Sequence, residues 1–250
     1  MNLQTYLYES NGQVHPFSYR GGSVGDNGVI DQVLRNRDYD LTRWAQGARL
    51  LEHHQRCSQT RPSLIVDAGA NIGAASVYFQ TEFENVFIFA IEPDKANWDL
   101  CERNTSRFHN QFNFHGAVAA SDGVLRLIDP DMGDWGFRTS AATLLPGADS
   151  STLVQSLSPR SILAHPATSG MTPLIFKVDI EGGEADLFSG DTGWMNEFAL
   201  IIIELHDYLM PFSRSSRSFQ RALGQHEFDF VHRGENFFLF NRNVLDVPAA

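Results

Sequence analysis

Leu64-Ile65-Val66-Asp67-Ala68-Gly69-Ala70-Asn71-Ile72-Gly73 is the stretch that decides how this chain folds. An apolar run stops on an acid, then passes through small residues into a segment of helical character. Glycine accepts the positive φ angles of a sharp turn, and small side chains let a backbone come close to a ligand. The next apolar run, Val86-Phe87-Ile88-Phe89-Ala90-Ile91, ends on a second acid, Glu92. Two strands that each end in a carboxylate, around a glycine-containing turn, describe a nucleoside pocket at the carboxyl edge of a parallel sheet.

The pattern extends in both directions. Ser63–Val66 leads to a helix over Ala74–Gln80, and Val86–Ile91 to a helix from Lys95 to Arg107, with Pro93 suited to the turn before it. Asn113–Val118 and Val124–Ile128 read as third and fourth strands. Leu174–Val178, a helix over Gly183–Ser189, the strand Ala199–Leu205 and a helix over Ser216–Gln225 follow. Phe228–His232 and Phe237–Phe240 then form a hairpin around Gly234-Glu235. Alternating strands and helices imply an α/β fold with a mostly parallel sheet covered on both faces. The hairpin adds an antiparallel edge, so the expected fold is a seven-stranded, methyltransferase-like sheet rather than a plain dinucleotide-binding one.

Upstream, residues 1–20 read as an extended or hairpin segment. Val29, Val33 and Leu34, then Leu41, Trp44, Ala48 and Leu51, recur at helical spacing over residues 28–56. The expected organisation is an N-terminal helical cap segment, residues 1–60, and a nucleoside-binding domain, residues 61–250. Residues 129–172 are rich in Gly, Ser, Pro and Thr and read as a long irregular insert of the kind that folds over a binding site. Its Trp135, Phe137, Arg138, His165 and Met171 are candidate acceptor contacts.

Composition narrows the function. The 250 residues suffice for one large domain, and 42% hydrophobic content with 19 Phe supports a packed core. A net charge of −11 leaves no visible basic stripe, which argues against a nucleic-acid partner. Cys57 and Cys101 are too few and too far apart for a disulfide framework or a zinc site, so the expected compartment is the reducing cytoplasm. Met1–Tyr6 lacks the basic and apolar regions of a signal peptide, and the longest apolar runs are strand-sized, which implies no membrane span.

A dinucleotide fingerprint, G-x-G-x-x-G, sets a pyrophosphate on a helix N-terminus. Here the spacing is Asp67-x-Gly69-x-Asn71-x-Gly73, with Asn71, tolerant of left-handed backbone, in place of a glycine. An acid just ahead of the turn repels a pyrophosphate. It suits a ligand that carries an amine and a sulfonium, as S-adenosylmethionine (SAM) does. Glu92 at the next strand end is placed to accept both ribose hydroxyls, while Asp94 suits a helix cap. Val118, after Ala117, is placed to flank an adenine. An NAD-dependent oxidoreductase is the alternative enzyme, and a nucleoside-binding protein without catalysis the alternative outside enzymes.

A second block, Lys177-Val178-Asp179-Ile180-Glu181-Gly182-Gly183-Glu184, sets carboxylates at a strand end, and the next strand ends Ile203-Glu204-Leu205-His206. Consecutive strands are often neighbours, which would gather Asp179, Glu181, Glu204 and His206. The set reads two ways. His206 or Asp179 serves as a general base for a hydroxyl, with Glu204 beside them; or Asp179, Glu181, Glu204 and His206 hold a divalent metal.

Together the VDAGANIG stretch with its distant IEP, the KVDIEGGE stretch and the IIIELH stretch resemble the FkbM family of SAM-dependent methyltransferases, over roughly residues 20–206. The resemblance implies a class I methyltransferase, Rossmann-like fold and methyl transfer to a hydroxyl on a sugar, glycan or natural-product acceptor. It makes Asp67, Gly69, Asn71, Gly73 and Glu92 cofactor contacts and sets Asp179, Glu181, Glu204 and His206 at or near the reaction centre. The upstream block Ser23-Val24-Gly25-Asp26 also resembles that family, which places Ser23 and Asp26 beside the cofactor.

Overall fold

The computed structural model describes residues 2–128, 138–141, 153–209 and 211–246. The chain opens with a hairpin of β1 (Leu3–Ser10) and β2 (Gln13–Arg20), followed by α1 (Val24–Val29), a π-helical turn over Ile30–Arg35, a 3-10 turn over Leu41–Arg43 and α2 (Ala45–Cys57). An alternation follows: β3 (Ser63–Ala68), α3 (Ala74–Glu82), β4 (Val86–Glu92), α4 (Lys95–Thr105) and β5 (Gln111–His115). Four strands then interrupt it: β6 (Ala117–Val118), β7 (Gly123–Ile128), β8 (Arg138–Ala141) and β9 (Leu153–Leu157), with α5 (Pro159–Leu163) after them. The alternation resumes with β10 (Thr172–Val178), α6 (Glu184–Leu187), β11 (Leu200–Glu204) and α7 (Arg217–Leu223). It closes with β12 (Phe228–Arg233), β13 (Asn236–Asn241) and α8 (Arg242–Leu245).

Seven strands form one sheet in the order β12-β13-β11-β10-β3-β4-β5. β11, β10, β3, β4 and β5 are parallel, and β13 runs antiparallel between β11 and β12. This is the class I methyltransferase, Rossmann-like sheet with an antiparallel C-terminal hairpin. From β3 the chain moves outward through β4 and β5, then returns to β10 on the other side of β3. The strand order therefore reverses between β3 and β10, and the loops leaving these two strands diverge around a crevice at their carboxyl ends.

The sheet is covered on both faces, which is why its strands read as nearly continuous apolar runs. Every residue of β3 and of β11 is buried. Alternation divides them between two cores. Ile65, Ile88, Ile175 and Ile202 pack under the N-terminal segment with Tyr8, Phe17, Val33 and Tyr39. Val66, Phe89, Phe176 and Ile201 pack on the other face with Leu187, Trp194 and Phe219. Residues 3–20 are a hairpin, and residues of the N-terminal segment share the sheet's own core.

Two expectations on the connections change. The stretch Asn113–Val118 is two strands, broken at Gly116, because β6 leaves the main sheet to pair with β9. A Cβ at Gly116 would lie 2.5 Å from the carbonyl oxygen of Gln155, so only glycine admits that crossing. Val124–Ile128 lies in β7, which joins a second sheet of order β6-β9-β7-β8. The described part of the 129–172 insert is thus ordered into β8, β9 and α5, not irregular. Trp135 and Phe137 lie outside the described residues. His165 packs its ring edge-on against Phe89, 5.2 Å between centroids, and Met171 packs against the same core. Among the described residues, no helix is long and apolar enough to cross a membrane.

One polar pair interrupts the apolar strands. Lys177 of β10 stands opposite Asp67 of β3 in the parallel register, and its ammonium lies 3.0 Å from Asp67 Oδ1. It also donates to the Gly69 carbonyl at 2.9 Å and approaches Asp179 Oδ2 at 3.5 Å. The other Asp67 oxygen accepts a hydrogen bond from Ser76 of α3 at 2.7 Å. Burial disfavours the ammonium, but the charges of Asp67 and Asp179 more than offset it, holding Lys177 above the ordinary lysine range. Removing one partner of a buried ion pair leaves the other charge uncompensated. Lys177→Met is therefore expected to cost about 3–5 kcal/mol of stability in urea unfolding. Adding Asp67→Asn to that variant should recover part of the loss. A single-variant cost under about 1 kcal/mol, the scale of an exposed pair, would contradict this role.

Candidate active site

The crevice holds a cavity lined by the turn after β3 (Gly69, Asn71), the end of β4 (Ile91, Glu92), Pro93 and Asn97, β6 (Ala117, Val118) and the turn after β10 (Asp179, Ile180, Glu181). Gly69 sits at φ +77°, and a Cβ there would lie 1.7 Å from the Asp179 carbonyl oxygen. Only glycine lets the two turns approach this closely. Gly73 abuts Cys101 of α4 and does not reach the cavity. Asn71 takes the left-handed conformation at φ 50°, and its buried Oδ1 has no hydrogen-bond partner.

Glu92 is buried at the cavity wall. Its Oε2 accepts from the Asn71 backbone N–H at 2.8 Å and its Oε1 from that of Asp94 at 2.9 Å. Each oxygen keeps a lone pair for a ligand. Burial pushes the Glu92 pKa up to about 7, although the two backbone donors lower it. Asp94 raises it further and the Lys177 ammonium lowers it; His115 stands opposite Glu92 on β5, its ring against the Pro93 carbonyl. Asp94 caps α4 by accepting from the Asn97 N–H at 2.8 Å, and that cap turns Asn97 toward the cavity.

The other expected cofactor contacts stand behind this wall. Asp67 does not line the cavity, because Lys177 and Ser76 hold its carboxylate inside the sheet. Ser23 caps α1 by accepting from the Asp26 N–H at 3.1 Å. Asp26 is buried and pairs with the Arg20 guanidinium, which donates in turn to Asn97 Oδ1 at 2.7 Å. Asp26 therefore supports the cavity through two intermediates and does not touch it. Four lining residues escaped the sequence reading: Ile91, Pro93, Asn97 and Ile180. The cap spacing from Asp94 to Asn97 was the available signal for the third.

Asp179, Glu181, Glu204 and His206 do converge. His206 is 1% exposed, with Nδ1 2.7 Å from Glu184 Oε1. Its Nε2 faces Glu181 Oε2 at 3.3 Å, Glu204 Oε1 at 3.4 Å and Asp179 Oδ1 at 3.8 Å. Burial would lower the His206 pKa, but contacts with Glu184 and Glu204 and the charge of Asp179 push it up to about 11. Burial and the neighbouring Asp179 charge raise Glu181 to about 8. Glu184 was not among the expected site residues; its position in the acidic run gave it the appearance of a helix-start acid. Asp179 remains partly exposed. It lines both the crevice cavity and a second one, bounded by Asp38, Lys177, Glu204 and Asn236 together with Val29, Val33 and Tyr39.

No protein-family model and no curated protein matches the chain. Among the solved structures that resemble it are several methyltransferases. The bifunctional kinase-methyltransferase WbdD aligns at TM-score 0.46 and 10% identity, over 82% of this chain and 39% of its own. A methyltransferase from Geobacter sulfurreducens aligns at TM-score 0.38 and 16% identity, over 85% and 87%. The ribosomal protein L11 methylase from Lactobacillus delbrueckii subsp. bulgaricus aligns at TM-score 0.34 and 12% identity, over 76% and 74%. The chain thus spans 39% of the length of WbdD.

Glu92 gives a pH prediction. A ribose diol donates to a carboxylate, so the ionised form binds it better than the acid. With the folded pKa near 7, nucleoside affinity should rise by about tenfold from about pH 6 to about pH 8. For stability the sign is opposite: the raised pKa favours folding below the unfolded value, and that benefit is lost as pH rises through about 7. Calorimetric titration of S-adenosylhomocysteine across this range checks the first. A flat profile in the wild type, or the same profile in Glu92→Gln, would remove Glu92 as the responsible group.

Proposed function

We propose that this chain is a SAM-dependent methyltransferase that methylates a hydroxyl of a sugar, glycan or natural-product acceptor. The observation that carries the reading is the acidic lining of the crevice cavity: among the described residues its ionisable lining groups are Glu92, Asp179 and Glu181. A pyrophosphate would meet carboxyl groups there and no cationic lining residue, whereas a sulfonium with an α-ammonium meets acceptors, and opposite charge wherever those groups ionise. SAM supplies a methyl group already activated on a positively charged sulfur. The residues present fit it: Glu92 for ribose hydroxyls, the orphaned Asn71 Oδ1 as an acceptor, and Ile91, Val118 and Ile180 as apolar walls.

The remaining work is alignment and proton handling by the chain's own groups. Asp179, at the partition between the two cavities, is placed to accept the acceptor's hydroxyl proton as the oxygen takes the methyl group. Glu204 lines the acceptor side. His206, 1% exposed and enclosed by carboxylates, is assigned to positioning them rather than to serving as the base. The resemblance to FkbM-type enzymes, the acidic lining and the adjoining second cavity all support an O-methyl acceptor bearing several hydroxyls.

Titration separates this from the NAD reading: S-adenosylhomocysteine should bind at micromolar concentrations and NAD should not. Asp179→Asn should lower kcat by about 100-fold, within the range of general-base losses, with S-adenosylhomocysteine affinity nearly unchanged. Tight NAD binding with none of S-adenosylhomocysteine would overturn the proposal.

A further inference from the structure

We infer that Asp179, Glu181 and His206, with Glu204 beside them, form a binding site for one divalent cation of intermediate hardness, Mn2+ or Zn2+. One donor atom each from Asp179, Glu181 and His206 lies within 4.8 Å of the others. The site does not rest on clustered acids alone. His206 Nε2 is buried, has no hydrogen-bond partner and points into the carboxylates. Glu181 Oε2, opposite it, is also buried and unpartnered.

The 3.3 Å from Nε2 to Glu181 Oε2 is the spacing of two ligands on one ion, with Asp179 Oδ1 somewhat farther at 3.8 Å. Charge-assisted hydrogen bonds run at about 2.7–2.9 Å, and the separations from Nε2 of 3.3, 3.4 and 3.8 Å exceed this. Ligands about 2.1 Å from a shared ion sit about 3.0 Å apart at octahedral corners and about 3.4 Å apart at tetrahedral ones. The donor set selects the ion: carboxylates suit Mg2+ and Mn2+, imidazole suits Zn2+ and its neighbours, and one nitrogen with two carboxylates falls between them. Glu184 completes the arrangement. It accepts from Nδ1 at 2.7 Å and so turns Nε2 toward the cluster, the usual service of a carboxylate behind a metal-bound histidine.

The site adjoins both cavities through Asp179, so its ion would polarise an acceptor hydroxyl brought to that partition. This use of the ion, unlike its binding, rests on the methyl-transfer reading. The test is titration of chelator-treated full-length protein with Mn2+, followed by the loss of the free-ion electron paramagnetic resonance signal, and with Zn2+, followed by calorimetry. One ion should bind per chain, with a dissociation constant below about 1 mM, the weak end for oxygen-rich cation sites. Glu181→Gln and His206→Asn should abolish binding. Glu184→Gln touches no ion and should weaken binding by about 10–100-fold. The ion should also raise the Tm of the wild type and leave that of His206→Asn unmoved. Absence of saturable binding of both ions, or undiminished binding in all three variants, would overturn the inference. S-adenosylhomocysteine titration of the chelated protein reports on the nucleoside cavity alone, so failure there and failure here are separate results.

Discussion

A single buried ammonium holds the centre of this structure together. Two strands that end in carboxylates meet side by side at the point where the sheet order reverses, and their turns must come within contact distance. Asp67 and Asp179 would repel across that gap. Lys177 lies between them, neutralises Asp67, and fixes the Gly69 carbonyl as it leaves the sheet. The glycine at 69 is a consequence: the turn it occupies is pressed against the Asp179 backbone. With both turns fixed, Asn71 is set in its left-handed conformation, its N–H reaches Glu92, and the crevice becomes a defined cavity.

The N-terminal segment finishes the same wall from outside. Asp26 holds Arg20, Arg20 reaches Asn97, and Asn97 faces the cavity. On the sheet face beneath this segment, Asp67 and Lys177 stand opposite each other, and Glu204 lies two residues beyond Ile202, the β11 residue opposite Lys177. The second cavity lies between them and Tyr39. The π-helical turn and the segment that follows it to Tyr39 therefore bound the space beside Asp179. The two cavities share Gly69, Asn71 and Asp179, so under the proposed methyl transfer cofactor and acceptor would meet at that carboxylate.

Much of this is legible in the sequence because burial on both faces leaves a strong mark. Runs such as Ile201–Ile203 and Phe87–Ile91 are apolar on both faces, and the acids at their ends mark the edge where ligands bind. Glu92, Asn71, Val118 and Asp179 are readable by that logic and do line the cavity. Asp67 reads the same way, yet it faces inward, because its neighbour in the register is a lysine rather than another apolar residue. Register is a property of two strands and is absent from either one. The same holds for Ser23 and Asp26, whose partners lie in a cap and on β2. The second sheet escapes for another reason: Gly116 looks like one residue in a strand, and only the crossing backbone of Gln155 shows that it divides two.

The central claim is that the acidic cavity between β3, β4 and β10 receives the nucleoside of SAM with its sulfur end toward Asp179. A crystal structure of the complex with S-adenosylhomocysteine tests it most directly. The account predicts ribose hydroxyls on the Glu92 carboxylate, the base against Val118 and Ile180, and the thioether at the Asp179 partition. A nucleoside bound elsewhere, or one in this cavity with Glu92 turned away from the ribose, would contradict it.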